Sequence, residues 1–150
     1  MVVGALMAVN ALGDVVRPST GEILAGARKI GSDALADTLA MMRGLVGKAA
    51  LRFAANTVIG VVATNARLGK EEMNKVAQMA QDGIARAIRP AHTMFDGDTL
   101  FALATGAKRA DVNLVGAYAA EVVAQAIVAA AEAAAGAGGL PAWRDLAEQA

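Results

Sequence analysis

The sequence predicts a fold of mixed helix and strand content (α/β, α+β), on the strength of two observations. The runs 58–63 and 99–104 are largely apolar over the length of a strand, which is typical of strands covered on both faces. The segment 70–88 between them repeats apolar residues at helical spacing. A chain of 150 residues suits one domain with a core of ordinary size, so we expect a single domain over 1–150.

The N-terminal third predicts three short strands and one helix. Residues 2–9 are rich in β-forming side chains, and a Pro-Ser-Thr-Gly turn separates 14–17 from 22–25 as in a hairpin. Ser32 is a candidate N-cap for a helix, and we interpret the end of this part, up to Ala55, as a surface excursion. The apolar face of that helix would consist of Leu35, Leu39 and Met42.

Further helices are predicted in the second half of the chain. The helix at 70–88 has acidic residues in its first turn and arginines before Pro90, charges that complement a helix dipole. Its apolar positions are Met73, Ala77, Ala80, Ile84 and Ala87. Asp111 is a candidate N-cap for a long alanine-rich helix that ends near 136–139, and Pro141 opens a short terminal helix.

The composition excludes several classes of function. Lysine and arginine number 14, as do aspartate and glutamate, so there is no excess of basic charge and we expect no nucleic-acid partner. With no cysteine, disulfides and thiolate metal sites are excluded, and we expect a cytoplasmic protein. The apolar N-terminus lacks the basic residues of a signal peptide, and charges interrupt the apolar stretch 114–140, so we expect no membrane partner. Apolar residues make up 56% but aromatic residues only 3%, which predicts closely packed backbones.

Two polar groups precede the apolar runs and are expected to meet. Asn56 and Thr57 stand before the first run, and Asp96 and Asp98 before the second. A strand of about eight residues extends roughly 26 Å at ~3.3 Å per residue, and a helix of about eighteen residues returns roughly 27 Å at ~1.5 Å per residue. The second strand should therefore start at the same edge as Thr57, where a hydroxyl and two carboxylates converge.

This convergence has a chemical and a structural explanation. A threonine hydroxyl becomes a nucleophile when a base takes its proton, and Thr57 would gain a suitable base, its own α-amine, if the Asn56–Thr57 bond were cut. The residues alone favour the structural explanation, since Asn-Thr pairs and Asp-Gly-Asp triplets are commonly turns. His92, the only histidine, lies in a loop near a proline and fits a hydrogen-bonded structural role better than that of a base. No second acidic cluster accompanies the triplet, so we expect no metal site.

Two long stretches of the chain resemble one known family. The block "NTVIGVVATNARLGKEEMNKVAQMAQDGIARAIRPAHTMFDGDTLFALATG" is similar to the start of the β-subunit in the P1, or S58, peptidases, which include L-aminopeptidase/D-esterases, β-aminopeptidases and the nylon-oligomer endo-hydrolase. The upstream "VGALMAVNALGDVVRPSTGEILAGAR" is similar to the end of the α-subunit. The resemblance implies a four-layer αββα sandwich of the N-terminal-nucleophile type and a peptide or small amide as substrate.

The resemblance also implies a role for each polar residue. Thr57 matches the nucleophile, and the bond between Asn56 and Thr57 matches the point of self-cleavage. Asp96 and Asp98 match acidic partners that orient and activate the hydroxyl, and Asn10 matches an asparagine that donates to the oxyanion. The implied mechanism uses neither a cofactor nor a metal, and the family's assembly into multimers leads us to expect a homo-oligomer.

The resemblance divides the chain and leaves two alternatives. Residues 1–56 match the end of the α-subunit, and 57–150 match the β-subunit that self-cleavage releases. Met1 stands just before a strand that lies inside the family's α-subunit, so we expect a sandwich incomplete at its N-terminus that needs the missing segment. One alternative is an autoprocessing aminopeptidase or oligoamide hydrolase; the other is a truncated, non-catalytic fragment that acts as a structural or association module. L-peptides, D-amides, β-peptides and synthetic oligoamides all stay open as substrates.

Overall fold

The computed structural model describes residues 1–29, 31–32, 34–44 and 56–147, which form strands and helices of the predicted α+β class. The strands are β1 (Val3–Asn10), β2 (Asp14–Val16), β3 (Ile23–Ala25), β4 (Thr57–Ala66), β5 (Ile88–Arg89) and β6 (Thr99–Lys108). The helices are α1 (Thr38–Met42), α2 (Lys70–Ala87), α3 (Val112–Ala133) and α4 (Trp143–Ala147).

The main sheet has the strand order β1–β4–β6. β1 runs antiparallel to β4, with Asn10 opposite Thr57, and β6 runs parallel to β4, with Thr99 opposite Ile59. A smaller sheet, in the order β3–β2–β5, contains the predicted hairpin, because β2 and β3 are antiparallel neighbours. Its third strand, β5, follows α2 directly and was not expected from the local pattern.

Helices α2 and α3 pack against each other and cover one face of the main sheet, where they bury the core. Gly83 of α2 lies so close to Ala120 and Val123 of α3 that any side chain at this position would collide with them. Such a close approach is what an interior with few aromatic residues requires. The largest fully buried aliphatic side chains are Val58, Val62, Val76, Ile84, Val115, Val123 and Ile127.

The opposite face of the main sheet is open. Successive strand residues point to opposite faces, so in β4 the buried Val58 lies under the helices and Ile59 on the open face. The exposed apolar side chains on this face include Leu6 (74% exposed), Phe101 (62%), Ile59 (50%) and Leu103 (47%). In the part of the chain that the structure describes, one helical layer therefore packs on one face of the main sheet, and the opposite face carries exposed side chains.

One predicted helix start is wrong. The Ser32 hydroxyl accepts a hydrogen bond from the Ala34 N–H in a turn and does not cap a helix. Helix α1 begins at Thr38, where the side chain of Asp37 accepts a hydrogen bond from the Ala40 N–H. Most of the predicted surface excursion, 45–55, lies outside the described residues.

Helix α3 begins as predicted and has the length and composition of a membrane-spanning helix. Asp111 caps it by accepting hydrogen bonds from the N–H groups of Asn113 and Leu114. Its 22 residues include a window of mean hydropathy 1.7. Core helices of globular proteins can have the same length and hydropathy. The Val115 and Ile127 side chains of α3 are fully buried in the core of this protein. We therefore assign α3 to the core.

Candidate active site

Thr57, the first residue of β4, pairs with Asn10, the last residue of β1, in the antiparallel ladder. Residues that pair in this way project their side chains to the same face of a sheet. For this pair it is the open face, because the next residue, Val58, is buried under the helices. The predicted nucleophile and the predicted oxyanion donor are therefore neighbours at one end of the main sheet.

The loop before β6 brings the acidic residues to the same end. Asn56 and Asp96 form a parallel β-bridge, and the Gly97 N–H donates a hydrogen bond of 3.4 Å to the Asn56 carbonyl. Gly97 also lies against Thr57, since a methyl group added at Gly97 would sit 3.0 Å from the threonine hydroxyl oxygen. The Asp96 carboxylate is fixed by a hydrogen bond of 2.6 Å from the Thr93 N–H. One loop thus contacts both the carbonyl and the hydroxyl beside the bond predicted to break.

Asp98 binds the backbone of β4. Its carboxylate accepts a hydrogen bond of 2.8 Å from the Val58 N–H, one residue beyond Thr57. Burial raises the pKa of Asp98 above its ordinary value, and the charge of Asp96 raises it further, whereas the Val58 hydrogen bond and the charge of His92 lower it. The carboxyl group therefore keeps its proton to a higher pH than an ordinary aspartate does.

A cavity of about 340 Å³ lies between α2 and the acidic loop. The side chains that line it are those of Gln81, His92, Thr93, Asp96 and Asp98. The carboxamide oxygen of Gln81 is buried and has no hydrogen-bond partner among the residues that the structure describes. His92 adopts a φ of 56°, in the left-handed region that non-glycine residues seldom occupy.

Sequence reasoning missed Gln81 and gave His92 only a structural role. One signal for Gln81 is present in the sequence, because it stands three residues before the buried Ile84 and so shares a helix face with it. A polar residue beside a buried face commonly lies on the helix flank, so this signal alone does not indicate a site.

The structure brings all the predicted site residues to one end of the main sheet: Asn10, Asn56, Thr57, Asp96 and Asp98. Within the described ranges, the Thr57 hydroxyl donates no hydrogen bond to either carboxylate. In the intact chain, the Asp98 carboxylate instead binds the Val58 N–H, whereas the Asp96 carboxylate binds the Thr93 N–H within its own loop. No group of three or more His, Cys, Asp or Glu side chains suited to a metal ion occurs in the part of the chain that is described.

Comparison with known proteins bears on the whole of this site. The family model of peptidase family S58 matches residues 1–141. The chain belongs to peptidase family S58. The match includes β1, β4 and β6 with the segment between Ala87 and Thr99, so every residue of the candidate site lies within the S58 region.

Several S58 relatives are similar over different lengths. An uncharacterized aminopeptidase of Mycobacterium leprae is 41% identical over 94% of this chain and 43% of its own length. One from Mycobacterium tuberculosis is 40% identical over 96% of this chain and 47% of its own length. A 6-aminohexanoate-oligomer endohydrolase of a Kocuria species is 36% identical over 53% of this chain and 26% of its own length. The chain therefore spans less than half the length of the mycobacterial relatives that it matches.

Proposed function

We propose that this chain is the part of an S58 amide hydrolase that cuts itself between Asn56 and Thr57 and then uses Thr57 as its N-terminal nucleophile. The main support for the proposal is the set of contacts around the Asn56–Thr57 bond. The Gly97 N–H donates to the Asn56 carbonyl, and the Thr57 hydroxyl lies against the same Gly97. Family membership and the names of the aminopeptidase and endohydrolase relatives support amide hydrolysis as the chemistry.

Self-cleavage begins with the Thr57 hydroxyl. Its oxygen attacks the Asn56 carbonyl carbon while water carries the hydroxyl proton to the Thr57 nitrogen, because neither carboxylate accepts a hydrogen bond from the hydroxyl within the described ranges. The charge that develops on the carbonyl oxygen is stabilised by the Gly97 N–H, which already donates to this oxygen. The carbon–nitrogen bond then breaks, the Thr57 nitrogen takes a proton, and an ester links Asn56 to the threonine oxygen. Water hydrolyses the ester to the Asn56 carboxylate and a free N-terminal Thr57.

The new α-amine of Thr57 is the base that the intact chain lacks. With an ordinary pKa of about 7.7 to 8.0, it takes the hydroxyl proton near neutral pH, and the oxygen attacks the amide carbonyl of the substrate. Asn10, opposite Thr57, donates to the oxyanion, and Asp96 and Asp98 orient the amine. The leaving amine takes the proton, and one water resolves the acyl-enzyme ester. Water is the only co-reactant in either reaction.

The proposed substrate is a peptide or a small linear amide. The relatives' names point to two such groups, the N-terminal residues of peptides and the oligomers of 6-aminohexanoate. Both groups combine an amide bond with a free amine, so a comparison of turnover between them would identify the preferred class. We place the enzyme in the cytoplasm, as its lack of cysteine suggests.

The test is the intact mass of the full chain, on purification and during incubation near neutral pH. We expect two fragments whose masses sum to that of the chain plus one water, the second beginning at Thr57. Thr57→Ala should stay uncut, and Thr57→Ser should be cut because it keeps a hydroxyl. Thr105→Ala, which removes an exposed hydroxyl elsewhere on β6, should be cut like the wild type. An uncut wild-type chain, or cleavage at this bond in Thr57→Ala, overturns the proposal.

The open face of the main sheet favours a second candidate function, that of an association module for like chains. Leu6 and Phe101 are among its most exposed apolar side chains, and an exposed apolar patch commonly marks a protein contact. In that case the chain stays uncut, sediments as an oligomer, and dissociates on the change Phe101→Ser. A wild-type chain that sediments as a monomer at all concentrations contradicts this function.

A further inference from the structure

A cavity of about 250 Å³ lies beyond the end of β1, between the β2–β3 hairpin and the last turn of α3. Asn10, the residue opposite Thr57 in the ladder, is one of the residues that line it. The other described lining residues are glycine, alanine and valine, so none of the described side chains in its wall is charged. An uncharged cavity therefore adjoins the candidate site at the proposed oxyanion donor.

A second cavity, of about 330 Å³, adjoins the first and extends to helix α4. Four residues line both cavities: Ala25, Gly26, Ala131 and Ala134. The second cavity reaches the Trp143 and Leu146 side chains of α4. Its charged lining residue, Arg28, is engaged, because its guanidinium donates a hydrogen bond of 3.0 Å to the Pro141 carbonyl. We call the two cavities together the apolar groove.

Contacts on both sides hold the walls of the apolar groove in place. Arg17, which follows β2, donates a hydrogen bond of 2.8 Å to Glu132 of α3, so the hairpin is fixed against the helix. Gly26 packs on the buried Asp14 carboxylate, which binds the Thr38 hydroxyl at 2.7 Å, and a side chain at Gly26 would collide with Asp14. Pockets for small molecules are usually preformed and mostly apolar in this way.

We propose that the apolar groove is a substrate subsite that takes an aliphatic chain of the acyl group, with Asn10 at its entrance and Trp143 at its far end. The identity of this occupant rests on the function proposed above. The carbonyl that Asn10 would stabilise carries the acyl chain, so a chain directed towards β1 enters the groove.

The two flanks of Thr57 differ in polarity, which favours this direction for the chain. In the main sheet, β4 lies between β1, where the groove begins, and β6, which the acidic loop precedes. An apolar chain laid on the acidic side would take water away from Asp96 and Asp98, which is costly for charged groups. In the groove the same chain buries apolar area against uncharged side chains, which is favourable.

The experiment uses Trp143 as the reporter, because it is the only tryptophan of the chain and lines the far part of the groove. Octanamide, an uncharged aliphatic amide, is titrated into the full chain carrying Thr57→Ala, which keeps the chain intact. We expect a saturable blue shift of the tryptophan emission, as the apolar chain displaces water. Adding Ala131→Leu, which puts a larger side chain in both cavities, should weaken binding by about tenfold, roughly the effect of losing the burial of two methylene groups.

The matched control is Ala129→Leu, an exposed position on the same helix that lines neither cavity, and it should bind octanamide like the parent chain. No saturable shift in the parent chain, or equal affinities in Ala131→Leu and Ala129→Leu, overturns the inference. Circular dichroism checks the fold of each variant. If Ala131→Leu does not fold, Ala134→Leu takes its place, because Ala134 is exposed and also lines both cavities.

A second readout separates the subsite from the proposed function. In the chain with Thr57, turnover is compared between the p-nitroanilides of racemic 2-aminooctanoate and racemic alanine, which differ in the length of the aliphatic chain. We expect Ala131→Leu to lower the ratio of their kcat/KM values by about tenfold. An unchanged ratio, with octanamide binding weakened, overturns the role as a substrate subsite. A wild-type chain that never cuts itself overturns the proposed function, and the fluorescence titration still decides whether the groove binds an aliphatic chain.

Discussion

Asp98 accepts a hydrogen bond of 2.8 Å from the Val58 N–H, and so ties the loop before β6 to the start of β4. The two residues are 40 positions apart, and α2 lies between them in the chain. Because Val58 follows Thr57 directly, the position of the proposed nucleophile depends on a carboxylate to which the family resemblance gives a role at the hydroxyl itself. The protonation of Asp98 therefore links the pH of the solution to the geometry of the site.

The first prediction concerns the pH dependence of stability. The pKa of Asp98 is raised on folding, so between its unfolded and folded pKa values the native state binds more protons than the unfolded state. This group's contribution to stability therefore falls as the pH rises from about 4 through the folded pKa. Asp98→Asn lacks the titration but keeps an oxygen acceptor for the Val58 N–H. Urea unfolding at a series of pH values should show the decline in the wild type and a flatter profile in Asp98→Asn, and parallel profiles would contradict the raised pKa.

The second prediction concerns Gly97. An alanine methyl group there would sit 3.0 Å from the Thr57 hydroxyl oxygen, closer than most such contacts, so the hydroxyl must shift by a few tenths of an ångström. Small misplacements of reacting groups are costly, and we expect self-cleavage to slow by about tenfold. Gly4→Ala is the matched control, because the added methyl at Gly4 in β1 meets nothing within 4 Å. Intact-mass time courses measure the rate of self-cleavage in both variants. Equal rates in Gly97→Ala and the wild type would contradict the proposed role of the Thr57 hydroxyl.

The third prediction concerns a buried carboxylate away from the site. Asp14 is fully buried, and its two oxygens accept hydrogen bonds from the Thr38 N–H at 2.6 Å and the Thr38 hydroxyl at 2.7 Å. Asp14→Ala leaves both donors without their acceptor and should lower the free energy of unfolding by about 3 kcal/mol or more. Thr38→Val removes the hydroxyl alone and should cost about 2 kcal/mol. The losses, measured by urea unfolding, should be non-additive in the double variant, and simple additivity would show that the pair does not interact.

The sequence alone was sufficient to predict where Thr57 and the acidic loop meet. A strand and a helix of nearly equal length return the chain to its starting edge, and both polar groups lie directly before apolar runs. The structure has this arrangement, with Asn56 bridged to Asp96 and Val58 bonded to Asp98. Periodicity is a local property, and it is informative here because α2 is long and strongly amphipathic.

Contacts between distant segments could not be predicted in this way. Asp14 appeared to be an ordinary first residue of a hairpin, yet it is the partner of Thr38, 24 residues later. The helix expected after Ser32 starts at Thr38, because Asp37 supplies the N-cap hydrogen bond. Tertiary packing outweighs local preference here. It decides that Asp37 rather than Ser32 caps the helix, and that the Asp14 carboxylate is buried. The position of Gln81 in the wall of the cavity depends on packing in the same way.

The last prediction compares two isoleucines on opposite sides of the main sheet. Ile84 of α2 is fully buried, whereas Ile59 of β4 is 50% exposed on the open face. Ile84→Ala should lower the free energy of unfolding by about 2 to 5 kcal/mol, because it leaves a cavity in the core. Ile59→Ala should cost less than about 1 kcal/mol, because less apolar area is lost and no cavity forms. Urea unfolding in a Thr57→Ala background keeps the chain intact for both measurements.

Equal costs for the two isoleucine variants would contradict an open face. The face carrying Ile59 would then be covered in solution, since only a buried isoleucine can lose as much as Ile84 does. A loss at Ile59 that grows with protein concentration would identify a second copy of the chain as the cover, because association stabilises the folded state by mass action. A small loss at Ile59 that does not change with concentration is the result that the exposed side chains of the sheet predict.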